Sequence, residues 1–215
     1  MRNVICLFIA LIGGLTIAQA QFDADSKGVL DKVSSKYQSF NTIEADISLS
    51  VVDRKDKERT DTGKLFLERK SGKFKIDLQG QEIISDGTNQ WIILQDQGEV
   101  QINKADKDDN SLNPATIFTF YKKGYKGTSK GTSKVGNKTL ADITLIPTDT
   151  RRNVSKIDLR VDKATNLIYD ATVFDKNGRK FIYTVKNLST NNPIPNSLFT
   201  FNKSNYPSLE IVDLR

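Results

Sequence analysis

A hydrolytic triad needs a side chain that accepts a proton, most often histidine, and this 215-residue chain has no histidine at all. Its one cysteine, Cys6, lies in an apolar run at the N-terminus. The rest of the chain therefore offers no thiol nucleophile and no Cys/His zinc site. Paired carboxylates are the remaining route to hydrolysis. Glu68, Asp77 and Asp158 alternate with apolar neighbours and are expected to face water. Asp86 sits in a Ser-Asp-Gly turn, where aspartate bonds its own backbone. The run DKDDN at 106–110 lacks the glycine and the terminal glutamate of a calcium-binding EF-hand loop. The inventory describes a protein that is not an enzyme and needs neither cofactor nor metal.

Arg69 is the charged residue whose position asks for an explanation. In the predicted strand 62–69, Gly63, Leu65, Leu67 and Arg69 share one face. In the next strand, 73–78, Phe74, Ile76 and Leu78 form the apolar face and so mark the interior. Arg69 then stands at a strand end on the interior side. Two readings follow: its side chain reaches back to water, or it enters the mouth of an apolar cavity and bonds carbonyl or carboxylate partners there.

The elements that must position these residues are mostly strands. Val29, Leu30, Val33, Tyr37 and Phe40 recur at helical spacing within 26–40, with Asp25 or Ser26 available as cap. Strands are expected at 44–53, 62–69, 73–78, 82–85, 90–95 and 99–103, then at 141–146, 154–161, 167–174, 179–188 and 198–201, with a short one at 209–212. Gln79-Gly80, Asp86-Gly87, Gln97-Gly98 and Asn177-Gly178 mark tight turns between them. Short connections imply antiparallel pairing. Pro114 with Asn113 as cap opens a short helix at 114–122, whose Ile117, Phe118, Phe120 and Tyr121 are apolar nearly all round and suit a lid. The KGTS repeat at 126–133 reads as a flexible basic hairpin loop.

Residues 1–20 carry Arg2, an apolar run from Val4 to Ile17 and the small-x-small ending Ala18-Gln19-Ala20. They are expected to be a secretory signal peptide cleaved before Gln21. The remaining 21–215 are expected to form a single domain, without disulfides, outside the cytoplasm. The chain's net charge of +6 is spread along the sequence rather than blocked, which implies a solvated surface, with weak attraction to anionic membranes as the lesser alternative. With an export signal, nucleic acid is not an expected partner.

Five stretches, in order, carry a resemblance: LDKVSSKYQSF (30–40), GKLFLERKSGKFKIDL (63–78), IISDGTNQW (83–91), ITLIP (143–147) and SLFTF (197–201). The chain resembles the LolA-type periplasmic outer-membrane lipoprotein carriers. The resemblance implies a mainly β fold: a curved antiparallel sheet forming an incomplete, half-open barrel covered by short α-helical lid segments. It implies a monomer that shields the acyl chains of lipoproteins in an apolar cavity. Its partners would be acylated lipoproteins, an inner-membrane ATP-driven release complex, and an outer-membrane acceptor or that membrane itself. The lipid-binding cavity and lid are expected from Leu65, Leu67, Arg69, Phe74, Ile76, Leu78, Trp91, Ile117, Phe118, Phe120 and Tyr121.

In the family, an arginine at the position of Arg69 bonds the lid backbone, and a phenylalanine at the position of Phe74 meets the release complex. Phe74, at the start of its strand, is accordingly expected near the rim, leaving less of a void on truncation than Ile76. Lys70 replaces the family's proline after the arginine, one extra residue precedes Phe74, and the KGTS repeat is foreign to the pattern. A barrel filled by its own side chains is the alternative to an open cavity. A non-enzymatic periplasmic binding or sensing module for another hydrophobic ligand is the alternative function.

Overall fold

A computed structural model describes residues 22–105, 121 and 124–215. One helix, α1 (Ala24–Gln38), precedes twelve strands. In chain order these are β1 (Thr42–Val52), β2 (Glu58–Glu68), β3 (Lys73–Leu78), β4 (Gln81–Ser85), β5 (Asn89–Leu94), β6 (Glu99–Lys104), β7 (Tyr125–Val135), β8 (Lys138–Pro147), β9 (Val154–Asp162), β10 (Leu167–Asp175), β11 (Lys180–Thr190) and β12 (Glu210–Asp213). They form a single sheet in the order β12-β6-β5-β4-β3-β2-β1-β11-β10-β9-β8-β7. The sheet is open, with β12 and β7 at its two ends, as the half-open architecture requires.

Helix α1 begins where the Asp23 carboxylate accepts the Ser26 backbone N–H at 2.7 Å, so the cap is Asp23 rather than Asp25 or Ser26. Leu30, Val33 and Tyr37 recur every three to four residues and are buried against one face of the sheet. The Tyr37 hydroxyl accepts the backbone N–H of Ile168, and the Tyr37 and Phe40 rings meet edge to face at 5.8 Å. We call the helix-covered face the inner face. Gly63 lies on it, and a Cβ there would stand 1.8 Å from the backbone oxygen of Asp77, so β2 and β3 approach more closely than any side chain at that position allows.

Three expectations about the elements need correction. The KGTS repeat is not a loop: it lies in β7, paired with β8 along its length, with a bulge between Ser129 and Gly131. Its Gly/Ser content looks like a linker, but Gly127 provides room for the Phe22 ring, whose Cδ1 would be 2.3 Å from a Cβ there. Lysines on a sheet edge also discourage pairing with foreign strands. The strand expected at 198–201 is instead a 3-10 turn, Asn196–Phe199, with Phe199 buried. The expected strand near 209–212 exists as β12, but it pairs with β6 in parallel, the single parallel pair among the described strands. A connection of more than a hundred residues separates the two, so nothing constrains them to run antiparallel.

Candidate functional site

The inner face has two regions. Under α1, Leu65, Leu67, Phe74, Ile143, Leu145, Ile157 and Leu159 are buried together with Leu30, Val33, Tyr37 and Phe40. Farther along the same strands the apolar surface continues with less cover. Strand pairing puts Ile47 beside Val185, Leu49 beside Tyr183 and Val51 beside Phe181. It likewise aligns Ile76 with Ile83 and then Ile92. All of these are half-buried except Tyr183, which is 37% exposed. The register that hides Leu67 therefore leads onto an open apolar tract, bordered on β2 by the Arg59–Asp61 ion pair opposite Val51 and Leu49.

Leu65, Leu67, Phe74, Ile76 and Leu78 are brought together as the alternation requires: Leu65 pairs with Ile76, Leu67 with Phe74 and Gly63 with Leu78. Phe74 is not at a rim. It is 4% exposed and belongs to the core cluster that α1 shares, whereas Ile76 is only half-buried at the edge of that cluster.

Arg69 follows the end of β2. Its backbone N–H donates to the Asn41 carbonyl at 3.0 Å, and its side-chain Nε donates to the Phe40 carbonyl at 2.7 Å. The guanidinium is half-buried and fastened to the chain just after the C-terminus of α1, where the helix dipole favours a cation. The side chain therefore engages a carbonyl of the α1–β1 connection while staying partly in reach of water.

Tyr121 is buried against α1, its hydroxyl donating to the Leu30 carbonyl at 3.1 Å, and burial pushes its phenol well above the usual tyrosine range. Ile117, Phe118 and Phe120, with most of the expected 114–122 helix, lie outside the described residues, as does the 1–20 segment.

Trp91 is separated from the group. Its partners in the ladder are Ile84 and Ile102, which place it on the outer face. There it stacks on Phe201 at 5.7 Å, and Phe201 stacks on Tyr206 at 5.6 Å. These rings and Leu209 cover a second small core of Ile84, Ile93 and Val100. The signal for it is present in the sequence: Ile83-Ile84 and Trp91 to Leu94 are continuous apolar runs, as expected of strands covered on both faces.

Lys138, at 2.7 Å, holds the buried Asp162 below the usual carboxylate range. Arg151 and Arg215 hold Asp149 and Asp213 down to about 2. A carboxylate lowered by folding stabilises the fold above its ordinary pKa of 3.8, and that stabilisation is lost as pH falls toward the folded value. With no histidine present, the melting temperature and acyl-probe affinity are expected to stay level from about pH 5.5 to 8. The melting temperature should then fall below about pH 4. A several-fold change in affinity within the neutral window would contradict this.

A family model described as Outer membrane lipoprotein carrier protein LolA matches residues 38–202. An outer-membrane lipoprotein carrier protein of Glaesserella parasuis serovar 5 (strain SH0165) is 26% identical over 203 residues, 93% of this chain and 90% of that one. Among solved structures, an uncharacterized conserved protein from Thermus thermophilus aligns with TM-score 0.59 at 11% identity, covering 88% of this chain and 99% of that one. The Mycobacterium tuberculosis lipoprotein LppX aligns with TM-score 0.54 at 10% identity, covering 80% and 98%. At such identities these two structures speak to the fold alone.

Proposed function

Because the chain belongs to the outer membrane lipoprotein carrier protein LolA family, we propose that it is a periplasmic carrier whose inner face shields lipoprotein acyl chains in transit from the inner to the outer membrane. The observation that carries this reading is the half-covered apolar tract of Ile47, Leu49, Ile76, Ile83, Phe181 and Tyr183, continuous with the core beneath α1. A flexible hydrocarbon chain needs area and few polar contacts, which such a tract offers. An inner-membrane ATP-driven release complex would load it, and an outer-membrane acceptor or the membrane itself would unload it. Phe74, buried as it is, is not proposed as the contact with the release complex. Native mass spectrometry of the protein purified from its own periplasm tests the reading: bound di- or triacylated lipoprotein is expected. A different hydrophobic ligand in its place would make the chain a binding module instead.

Arg69 acts in this scheme as a latch between β2 and the end of α1. A hydrogen bond from a charged donor contributes about 1.5–3 kcal/mol, so opening the inner face beside α1 has a fixed cost that favours unloading. Arg69→Leu is expected to fold, to load an acyl probe at least as tightly, and to pass it to an acceptor about tenfold more slowly. Arg69→Lys should fall between, since an ammonium keeps the charge but loses the planar fork. Loading from donor vesicles followed by transfer checks this; normal transfer by the leucine variant, or no loading, removes the latch.

A further inference from the structure

Three hairpin turns lie side by side at one end of the sheet. Arg54 in the β1–β2 turn donates to the carbonyl of Asn177 in the β10–β11 turn. Lys176 there donates through its backbone to Asn153 at 2.8 Å and through its ammonium to Thr150, both in the β8–β9 turn. Segments 53–59, 149–152 and 175–180 hold nine Lys/Arg against five Asp/Glu, a net +4 in a chain whose total is +6. The charge that is diffuse along the sequence is thus gathered in space.

The carboxylates of this tip are turned to local work. Asp53 accepts the backbone N–H groups of Lys55 and Lys57 at 2.7 and 3.0 Å, and Asp149 and Asp175 accept those of Arg151 and Arg179 at 2.9 and 2.8 Å. The side chains of Lys55 and Lys57 are exposed, and Lys180 is half-exposed. Apolar side chains reach the same end of the sheet. Ile146, on the outer face at the β8 end of this tip, is 52% exposed, and on the inner face the half-buried Val51 and Phe181 bring the tract up to the β1–β2 and β10–β11 turns.

We propose that this tip docks on anionic phospholipid surfaces, with lysines meeting headgroup phosphates and Ile146 entering the interfacial layer beneath them. The proposal rests on the carrier reading, which requires the inner face to meet membranes. Flexible ammonium groups on a tip that also exposes an aliphatic side chain suit a fluid surface of phosphates above hydrocarbon better than the fixed charge pattern of an acidic protein. Each surface cation contributes roughly fivefold to such binding, and salt weakens it within a screening length.

The test uses the mature chain with phosphatidylcholine vesicles, with and without about one-third phosphatidylglycerol, at low and at ~0.3 M salt. Binding is expected only to the anionic vesicles, and to weaken with salt. The triple variant Lys55→Gln/Lys57→Gln/Lys180→Gln should lose on the order of 100-fold. The charge-matched control Lys32→Gln/Lys70→Gln/Lys163→Gln, on α1 and in turns at the opposite end, should lose less than about fivefold. Equal losses in the two variants would mean that net charge alone is felt, and would overturn the tip. Capture on polyglutamate beads without vesicle binding would overturn the membrane in favour of an acidic protein. Acyl-probe binding in vesicle-free solution separates the two claims: intact probe binding with no preference for anionic vesicles sinks only the docking. Tip-dependent vesicle binding without probe binding upholds the docking and sinks the carrier.

Discussion

Tyr183→Glu is expected to fold normally and to lose on the order of 100-fold in affinity for a fluorescent acyl probe. Tyr183 is 37% exposed on the inner face, between Leu49 of β1 and Ala171 of β10. An ionised carboxylate there stays hydrated in the empty protein. It must give up that hydration when a hydrocarbon chain is laid over it, and no cation is its ladder partner to offset the loss. Ser48→Glu, on the outer face of the neighbouring strand opposite Thr62 and Thr184, should change affinity by less than about twofold. Titration of both variants with the probe, with circular dichroism to check folding, gives the comparison. Equal affinity in the two variants would mean that the ligand does not touch this tract.

Phe74→Ala is expected to lower the unfolding free energy by about 3–5 kcal/mol, measured by denaturant titration. The ring is 4% exposed and stands beside Leu67, its ladder partner, which is fully buried in the same core cluster. Its removal leaves a cavity that the surrounding strands, fixed by ladder hydrogen bonds, cannot collapse to fill. Ile76→Ala, at a half-buried position, should cost less. A loss below about 1.5 kcal/mol at Phe74 would place the ring near the surface after all and restore it as a candidate contact residue.

These two residues show what sequence could and could not reveal. The strict alternation in GKLFLER and KFKIDL assigned Leu65, Leu67, Phe74 and Ile76 to one face, because a period of two leaves no other choice. How deeply each is covered depended on where α1 comes to rest, a tertiary fact that alternation does not carry. Trp91 was misplaced because Trp91 to Leu94 is uniformly apolar and gives no phase, and the covering Phe201, Tyr206 and Leu209 are more than a hundred residues away. Tyr183 and Leu49 were passed over for the opposite reason: polar neighbours made their strands look like ordinary surface strands. The basic tip was hidden because its three segments meet only when the sheet forms.

The proposed carrier function requires acyl chains to lie on the face covered by α1 and not on the other side of the sheet. Photocrosslinking tests it most directly. A benzophenone side chain placed at position 183 or, separately, at position 48 puts the same probe on opposite faces of adjacent strands. After expression in the native periplasm and illumination, position 183 is predicted to capture acylated lipoprotein and position 48 to capture none. Capture from position 48 alone, or equally from both, would rule out the inner face as the surface that holds the acyl chains.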